Sequence, residues 1–559
     1  MNRTIAIIRR APLSALCAVL FCIFFAPLHA QSMYWEDTVR ITEGDARFPR
    51  VVTNGQKTWV FWEEIDTKNE TIELSCRYTD TDGTVRTNRR FAGPFPYSGR
   101  VPDIYSAAVS KRGTVVVAVL SGKRTLSIFA SSDGGARFTE VKIPHYDEPF
   151  VAPQIYATER GTFMLFVSLG QNDSFAMYAA VSPDGFSWSE FSPFLPADSQ
   201  VNPFVPVLHS MPKNDVVVFQ AQYLLESRIS YQLYATFSSD AGMTWSKPLL
   251  ITGASSLAPD DKNSFSAYHN QRPFLFTRSG VTYIAWERTY YASENSHIWV
   301  GQLTKEGIVS GTAKQISGEG NANRAVLFSF NNTLSAVWFD TRIGIETVRM
   351  AQKKGPLWEE ITLSSGRVPS LFAFPVITRS KSNAEHLAFV WQENPQNGKP
   401  GIYLLEPDIS AAPPSIKPLS FEKGKRSKEA RVRFRIELPS DSSGVAGYSW
   451  SWSQNKTDEP PDRIMNTSKE RTVEVNASAE GKWYFKARTA DYAGNRSDSA
   501  VVEYYLDLTA PAKPSIKLPE TDKAGFIDSN SFSVSWLPDA SDSDVAGYTW
   551  HLQYIAPID

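Results

Sequence analysis

The chain has 559 residues, a formal net charge of −2 at pH 7 and a hydrophobic fraction of 42%. Such a balanced charge argues against the basic surface that nucleic-acid binding or attachment to an anionic membrane needs. An aromatic fraction of 13%, which includes 15 Trp, favours β-sheets, because aromatic side chains fit a pleated surface. A chain of this length suggests about three domains.

The first thirty residues have the features of a signal peptide. Three arginines make the start basic, residues 13–25 are apolar and uncharged, and residues 26–30 offer a small-residue cleavage site. The apolar run is shorter than a membrane span of roughly 20 residues, and no second long apolar run follows. We therefore predict cleavage before Gln31 and an exported mature chain without a transmembrane segment. Its location would be the periplasm, the cell surface or the medium.

The cysteines and histidines indicate neither a metal nor a cofactor. Cys17 and Cys22 lie in the signal peptide, where lipidation is the alternative to simple cleavage, so the mature chain keeps only Cys76. A single cysteine forms neither an intrachain disulfide nor a cysteine-rich metal site. The histidines show no metal-ligand spacing, and phosphate loops, nucleophile elbows and zinc-protease motifs do not occur.

A unit recurs seven times between residues 47 and 408. Each copy passes through a Gly- or Asn-containing turn into a strongly apolar strand, and these turns recur every 55 residues or so, from Gly55 to Asn383. Four short strands in a unit of about 40 to 55 residues are typical of a propeller blade. The sequence therefore predicts an all-β fold with a seven-bladed β-propeller, six blades being the alternative.

The two ends of the repeat region predict how the ring closes. The seventh copy stops after its third strand, at residues 401–405. Residues 34–42 precede the first copy and resemble the fourth strand at residues 245–252. One missing strand at one end and one spare strand at the other predict closure by strand exchange, which removes an open sheet edge.

Three copies carry a sharper motif after their third strand. It reads Ser-Ser-Asp-Gly-Gly-Ala-Arg-Phe at residues 131–138, Ser-Pro-Asp-Gly-Phe-Ser-Trp at 182–188 and Ser-Ser-Asp-Ala-Gly-Met-Thr-Trp at 238–245. These segments resemble the Asp-box turns of the sialidase-like (BNR repeat) propeller superfamily, and the resemblance covers roughly residues 34–408. A short Asp accepts hydrogen bonds from its own turn, so we expect Asp133, Asp184 and Asp240 to be structural.

The resemblance implies a site that can be looked for. Sialidases hold the substrate carboxylate with three arginines and use an Asp acid/base and a Tyr nucleophile paired with Glu. Arginines stand before the inner strand in several copies of the present repeat: Arg47, Arg100, Arg272, Arg324 and Arg367. Carboxylates follow the second strand: Glu63, Glu287, Asp340 and Glu393. Both sets are expected to ring one mouth of the central channel.

Two interpretations of this mouth stay open. Because the arginine recurs with the repeat, the set can serve as Arg–carboxylate pairs that fix neighbouring blades. It can also form a polar funnel that grips a glycan, an anionic ligand or a protein loop. Tyr290 and Tyr291 lie in a polar loop, but no flanking pattern marks either as a nucleophile. No catalytic residue is therefore assigned.

The residues after the repeat read as β-sandwich modules. We predict a propeller over residues 31–408, a linker over 409–417, one module over 418–507 and an incomplete second module over 508–559. Segments around Gly447 and Trp483 resemble bacterial immunoglobulin-like or fibronectin type III modules, and the segment around Gly547 repeats the first. We expect such modules to act as a stalk and the chain to continue in a longer protein.

Together these features favour a binding protein over an enzyme. We expect an exported cell-envelope or surface propeller that binds a ligand, such as a glycan, or an envelope protein on an immunoglobulin-like stalk. The alternative is a sialidase-type glycoside hydrolase that acts on cell-surface glycans.

Overall fold

The structure is a computed structural model. It describes residues 33–79, 85–97, 104–121, 125–143, 153–171, 174–195, 201, 203–225, 228–252, 268–290, 295–379, 385–537, 539 and 545–553. All regular elements of these residues are β-strands, which confirms the all-β prediction. No helix among them is long and apolar enough to cross a membrane. The predicted signal peptide lies outside the described residues. The chain divides into a unit over Trp35–Pro407 and a second unit that contains Asp408–Asp559.

The first unit contains a short opening strand and seven consecutive antiparallel sheets. The opening strand is β1 (Val39–Arg40). Sheet 1 has β2 (Asp45–Thr53), β3 (Thr58–Asp66), β4 (Thr71–Thr79) and β5 (Val85–Pro96). Sheet 2 has β6 (Tyr105–Val109), β7 (Val115–Ser121), β8 (Thr125–Ser131) and β9 (Thr139–Val141). Sheet 3 has β10 (Gln154–Ala157), β11 (Phe163–Gln171), β12 (Ser174–Ser182) and β13 (Ser192–Pro193).

The remaining sheets follow the same plan. Sheet 4 has β14 (Pro203–Ser210), β15 (Asp215–Leu225), β16 (Arg228–Ser238) and β17 (Leu249–Leu250). Sheet 5 has β18 (Tyr268–Arg278), β19 (Val281–Tyr290), β20 (Ser296–Thr304), β21 (Gly307–Ile308) and β22 (Lys314–Gln315). Sheet 6 has β23 (Ala322–Phe330), β24 (Thr333–Asp340), β25 (Thr347–Lys354) and β26 (Leu357–Thr362). Sheet 7 has β27 (Ser370–Arg379), β28 (Glu385–Glu393) and β29 (Gly401–Leu405), together with β1.

The first strands of the seven sheets form a closed ring. Strand β2 contacts β6, and the contacts continue through β10, β14, β18, β23 and β27. Strand β27 in turn contacts β2, so the ring returns to its start. Within each sheet the strands follow one another outwards in order. A ring of radial four-stranded sheets is a β-propeller.

The N-terminal segment supplies the fourth strand of sheet 7. Val39 of β1 lies opposite Leu404 of β29. The N–H of Ile402 donates to Thr42 Oγ1 at 3.0 Å, just as the N–H of Leu233 donates to Thr252 Oγ1 at 2.9 Å in sheet 4. The segment around Thr42 therefore pairs as a fourth strand does, and it covers the edge that sheet 7 would otherwise expose.

The second strands form the buried middle of the sheets. Strand β3 is buried along almost its whole length, and the side chains of Trp59 and Trp62 are fully enclosed. Trp286, Trp338 and Trp391 are enclosed in the same way in later sheets. These positions explain the high aromatic content, because a strand covered by a neighbouring sheet on each face reads as a continuous apolar run.

A bulge recurs in five of the first strands. The pairing register shifts by one residue after Arg47, Phe204, Gln271, Asn323 and Leu371, because two residues of the first strand lie opposite one residue of the second. The first bulged residue has a positive φ in each strand: Phe48, Val205, Arg272, Arg324 and Phe372. Positive φ is uncommon in residues other than glycine, so the bulge is a feature of the repeat rather than of one strand.

The described residues of the second unit form two larger sheets and one separate pair of strands. Its strands are β30 (Ser415–Pro418), β31 (Arg426–Ser427), β32 (Arg431–Glu437), β33 (Val445–Ser453), β34 (Asn466–Thr467), β35 (Thr472–Asn476), β36 (Gly481–Asp491) and β37 (Ala500–Leu506). Strands β30, β32 and β35 form one sheet, and β31, β37, β36, β33 and β34 form the other. Both sheets contribute to one core, with Phe434 stacked on Phe485 at 4.1 Å between ring centroids. Strands β38 (Ser515–Lys517) and β39 (Ser535–Leu537) pair separately.

Candidate functional site

Three of the bulges join their sheet to the preceding one through hydrogen bonds. The N–H of the first bulged residue donates to a side-chain oxygen on the second strand of the previous sheet. The pairs are Phe48 with Gln392 Oε1 (2.8 Å), Arg272 with Gln220 Oε1 (2.6 Å) and Arg324 with Glu287 Oε1 (2.6 Å). Glu63 accepts the N–H of Ile104 in the next sheet at 2.8 Å. An amide or carboxylate at this position satisfies a backbone donor that water does not reach.

The carboxylates predicted from the sequence occupy two different rows at the bulged ends of the second strands. Glu63 and Glu287 lie in the row just described, which faces the next sheet. Asp340 and Glu393 lie one residue further along their strands. Each pairs with the second residue before the bulge of the first strand, whereas Glu63 and Glu287 pair with the residue directly before it. Neighbouring side chains on a strand point to opposite faces of the sheet, so the two pairs project from opposite faces of their sheets.

Asp340 and Glu393 are held inside their own sheets. The indole N–H of Trp391 donates to Glu393 Oε1 at 2.9 Å, and burial raises the pKa of Glu393. Asp340 is fully buried and pairs with Arg342 at 2.6 Å and with Arg349 at 3.0 Å. These contacts assign both carboxylates to the packing of their sheets.

The arginines predicted from the sequence also occupy different positions. Arg272 and Arg324 are the first bulged residues of sheets 5 and 6. Arg47 precedes its bulge and pairs with Asp45 of the same strand at 2.7 Å. Arg367 is exposed in the segment before β27, and Arg100 lies outside the described residues. Arg47 and Arg367 therefore do not occupy the position that Arg272 and Arg324 share in the repeat.

A cluster of positive charge lies at the bulged end of the ring. It consists of Arg50, Arg272 and Arg324, from sheets 1, 5 and 6, and we call it the arginine cluster. Burial, followed by repulsion from Arg50 and Arg272, lowers the pKa of Arg324 to about 10. The guanidinium of Arg324 lies over the ring of Phe372, with Cζ 4.9 Å from its centroid. The charges of Arg50 and Arg272 therefore both act on Arg324, although they come from distant parts of the chain.

Glu287 is the carboxylate that lies beside Arg272 and Arg324. Arg272 Nη1 lies 2.6 Å from Glu287 Oε2. Among the described residues, no carboxylate lies within ion-pair distance of the Arg324 guanidinium, although the charge of Glu287 stabilises it from further away. Burial raises the pKa of Glu287, and the positive charges of Arg272 and Arg324 oppose that shift. One carboxylate thus serves two buried or half-buried cations.

Glu63 is a buried acid beside the cluster. Its Oε1 accepts the N–H of Ile104, whereas Oε2 accepts no hydrogen bond from the described residues. Burial raises the pKa of Glu63 to about 7, although the hydrogen bond to Ile104 and the charges of Arg50 and Arg47 oppose the shift. A carboxyl group with this pKa holds a proton up to neutral pH, as a general acid must.

The tyrosines near the cluster are not activated. Tyr105 donates its hydroxyl to the carbonyl of Phe48, and Tyr156 donates to the carbonyl of Pro206, both at 2.8 Å. Burial raises the pKa of both hydroxyls. Tyr290 packs edge-on against Tyr268, and Tyr291 lies outside the described residues. The hydroxyls of Tyr105 and Tyr156 therefore act as hydrogen-bond donors and are not phenolates available for nucleophilic attack.

The Asp-box carboxylates lie at the opposite ends of the strands from the bulges, and each bonds within its own turn. Asp133 accepts from Ser131 and Arg137, and Asp184 accepts from Ser182 and Ser187. Hydrogen bonds from the side chain and backbone of Thr244 lower the pKa of Asp240 to about 2. These are the contacts of residues that stabilise a turn.

Arg50 is the site residue that sequence reasoning missed. It lies two residues after the first bulged residue of β2, and its charge acts on Glu63, Tyr105, Tyr156 and Arg324. Proline marks the second bulged position in three strands, as Pro49, Pro206 and Pro273. Aligning the copies on this proline, rather than on arginine, would have placed Phe48 with Arg272 and drawn attention to Arg50.

Comparisons with known proteins give a distant likeness to solved structures. No family model matches the chain, and no curated protein matches it. The polysaccharide lyase Uly1 is 13% identical, with a TM-score of 0.45 over 69% of this chain and 94% of that one. The BP39L lectin from Burkholderia pseudomallei is 13% identical, with a TM-score of 0.39 over 64% of this chain and 98% of that one. A subtype N11 neuraminidase-like protein of A/flat-faced bat/Peru/033/2010 (H18N11) is 8% identical, with a TM-score of 0.33 over 66% and 93%. At these TM-scores the likenesses carry no argument about the activity of this chain.

Proposed function

We propose that the chain is an exported seven-bladed β-propeller that binds an anionic sugar of an envelope or surface glycan at its arginine cluster. In this proposal each of the seven sheets is one blade, and the two-sheet unit is an immunoglobulin-like module of a stalk. The observation that carries the proposal is the state of Arg324. The charges of Arg50 and Arg272 repel its guanidinium, which has no ion pair of its own among the described residues.

Charge balance supports an anionic ligand. Arg272 and Arg324 both lie beside Glu287, which forms an ion pair with Arg272 at 2.6 Å but none with the guanidinium of Arg324. Glu63 adds little negative charge below neutral pH, because its pKa is about 7. A carboxylate, sulfate or phosphate group would relieve the repulsion, and guanidinium groups bind carboxylates with two parallel hydrogen bonds.

The aromatic surroundings favour a sugar over a bare inorganic anion. The rings of Phe48 and Phe372 lie 5.3 Å apart between centroids, and Arg324 lies over the second ring. Binding sites for organic ligands combine apolar surface with a few polar groups that fix orientation. A carboxylated sugar offers both an anionic group for the arginines and a less polar ring face for the phenylalanines.

Cleavage of a glycoside at the same site is the second candidate. Glu63 favours it, since a buried carboxyl group with a pKa of about 7 beside a cation cluster is suited to protonate a leaving oxygen. The described tyrosines do not favour a sialidase mechanism, because Tyr105 and Tyr156 donate to backbone carbonyls. We therefore rank binding before hydrolysis.

Two assays on the mature chain test these candidates. Calorimetric titration with D-glucuronate and N-acetylneuraminate is expected to show saturable binding that weakens with salt, whereas the neutral sugar D-glucose is expected to show none. Equal binding of D-glucose, or no binding of either anionic sugar, would refute the proposal. Turnover of a fluorogenic sialoside or glucuronide that disappears in Glu63→Gln and Arg272→Ala would place hydrolysis first. Stable capture of an envelope protein without sugar binding would instead support a scaffold.

A further inference from the structure

Three aspartates from separate segments converge in the second unit. Asp408 precedes β30, Asp441 lies in the segment before β33, and Asp491 ends β36. One carboxylate oxygen from each lies within 4.8 Å of the other two. We propose that these residues form a calcium site, which we call the aspartate site. This inference is independent of the proposed sugar binding.

Asp408 gives the observation that points to a ligand. Its side chain is 7% exposed, and Oδ1 accepts a hydrogen bond from Asn495 Nδ2 at 3.1 Å. Its Oδ2 is buried and has no hydrogen-bond partner among the described residues. A buried carboxylate oxygen without a donor is costly, and a cation bound there would remove that cost.

The other two aspartates are fixed by their own turns. Asp491 accepts the N–H of Asn495 at 2.7 Å through Oδ1 and its amide Nδ2 at 2.8 Å through Oδ2. Asp441 accepts the N–H and hydroxyl of Ser443 through Oδ1. Asn495 thus donates to both Asp408 and Asp491 and holds their carboxylates near each other. Such outer contacts orient metal ligands in many proteins.

The charge of the aspartate site is not balanced by a side-chain cation. Among the described residues, no Lys, Arg or His forms an ion pair with any of the three aspartates. Asp507, which directly follows β37, is different, since Arg426 Nη1 lies 3.0 Å from its Oδ2. Three clustered carboxylates repel one another unless a cation or protons neutralise them.

The ligand chemistry favours calcium. The site offers only oxygen atoms, and neither His nor Cys belongs to it, which disfavours zinc and copper. Calcium accepts irregular sets of six to eight oxygens, including carboxylates that bind through two oxygens, whereas magnesium requires a small regular octahedron. Water would complete the coordination shell. A bound ion would link the segment before β30 to the segment before β33 and to the end of β36.

The sequence did not indicate this site. Metal motifs are recognised from short spacings, and the three aspartates are far apart in the chain. The turn that contains Asp491 and Asn495 was visible as a module feature, but only the fold brings Asp408 and Asp441 to it.

The test uses the full mature chain after removal of divalent ions. Calorimetric titration with CaCl2 is expected to show one saturable site with a dissociation constant on the order of 10⁻⁵ to 10⁻³ M. Asp408→Asn and Asp441→Asn are expected to weaken calcium binding by at least about tenfold. Asp507→Asn is the matched control, because it removes an aspartate of the same unit outside the site, and it should change the affinity less than about twofold.

A stability measurement separates loss of the site from loss of the fold. In EDTA, Asp408→Asn should melt at the same temperature as the wild type or higher, because one of three repelling charges is gone. Calcium should raise the melting temperature of the wild type and of Asp507→Asn but not of Asp408→Asn. The proposal is overturned if the wild type binds no calcium below about 10 mM. It is also overturned if Asp408→Asn responds like the wild type, or if magnesium binds as tightly as calcium.

Discussion

Glu287 accepts the backbone N–H of Arg324 through Oε1 at 2.6 Å, while the guanidinium of Arg324 lies beyond ion-pair distance of that carboxylate. The same Glu287 binds Arg272 through its other oxygen at 2.6 Å. One side chain therefore fixes the contact between sheets 5 and 6 and neutralises one arginine of the cluster. The structural and the electrostatic roles of Glu287 are separable, because only the second requires its charge.

Substitution of Glu287 should separate these two roles. Glu287→Gln keeps an oxygen for the Arg324 N–H, as Gln220 and Gln392 do in other sheets, and should change the free energy of unfolding by less than about 1 kcal/mol. Glu287→Ala leaves a buried N–H without an acceptor and should cost about 2–4 kcal/mol. Glu287→Gln should also tighten binding of anionic sugars, since Arg272 loses its partner. Denaturant titration and calorimetry measure both effects, and equal destabilisation by Gln and Ala would contradict this account.

Glu63 should make the stability of the propeller depend on pH. Its pKa is raised from 4.5 to about 7 in the folded chain, so the folded state binds more protons than the unfolded state between these values. The contribution of Glu63 to the free energy of unfolding should therefore be largest below pH 4.5 and decrease as the pH rises to 7. The full loss would be about 3 kcal/mol above pH 7, at 1.36 kcal/mol per pKa unit. Glu63→Gln should remove this slope and be the more stable protein at pH 8.

Unfolding free energies at pH 5 and pH 8 for the two proteins check the Glu63 prediction. The difference between Glu63→Gln and the wild type should be small at pH 5 and favour the variant at pH 8. An unchanged slope in the variant would show that Glu63 is not the group responsible.

Gly185 should be intolerant of a side chain for two reasons. Its φ is +84°, and an added Cβ would lie 2.6 Å from Val116 Cγ2 of sheet 2. Gly161 has a similar φ of +87° but nothing within 4 Å of an added Cβ, which makes Gly161→Ala a matched control. We expect Gly161→Ala to cost about 1 kcal/mol for the backbone alone. Gly185→Ala should cost a further 1–3 kcal/mol or so for the clash.

Thermal unfolding of both glycine variants tests how this Asp-box turn packs on the preceding sheet. Sugar binding should be unchanged in each variant that folds, because the Asp-box turns lie at the ends of the strands away from the bulges. Equal melting temperatures for the two variants would show that the turn is not packed against Val116.

The sequence predicted the parts of the fold that depend on local pattern. Turn glycines and apolar second strands revealed the repeat, and the likeness of residues 34–42 to a fourth strand anticipated the pairing of Val39 with Leu404. The structure adds that Thr42 repeats the hydrogen bond of Thr252. Such features are visible in one dimension because each copy contains all of its own signals.

The candidate site was predicted less well because it depends on register. A bulge shifts every later side chain. Arg47 and Arg272 look equivalent in sequence, but Arg47 is the last paired residue before its bulge whereas Arg272 is the first bulged residue. Glu63 and Glu393 likewise occupy positions that differ by one residue relative to the bulge. A step of one residue along a strand places a side chain on the opposite face of the sheet. Which arginines repel one another also depends on closure of the ring, because the charge of Arg50 in sheet 1 acts on Arg324 in sheet 6.

The most direct test of the central claim compares Arg324→Gln with Arg367→Gln in calorimetric titrations with D-glucuronate and N-acetylneuraminate. Arg324 belongs to the arginine cluster, whereas Arg367 is exposed outside it. We predict that Arg324→Gln weakens binding of the anionic sugar by at least about tenfold, because a desolvated guanidinium–carboxylate contact is lost. Arg367→Gln should stay within about twofold of the wild type. Wild-type affinity in Arg324→Gln, or an equal loss in Arg367→Gln, would contradict the proposal.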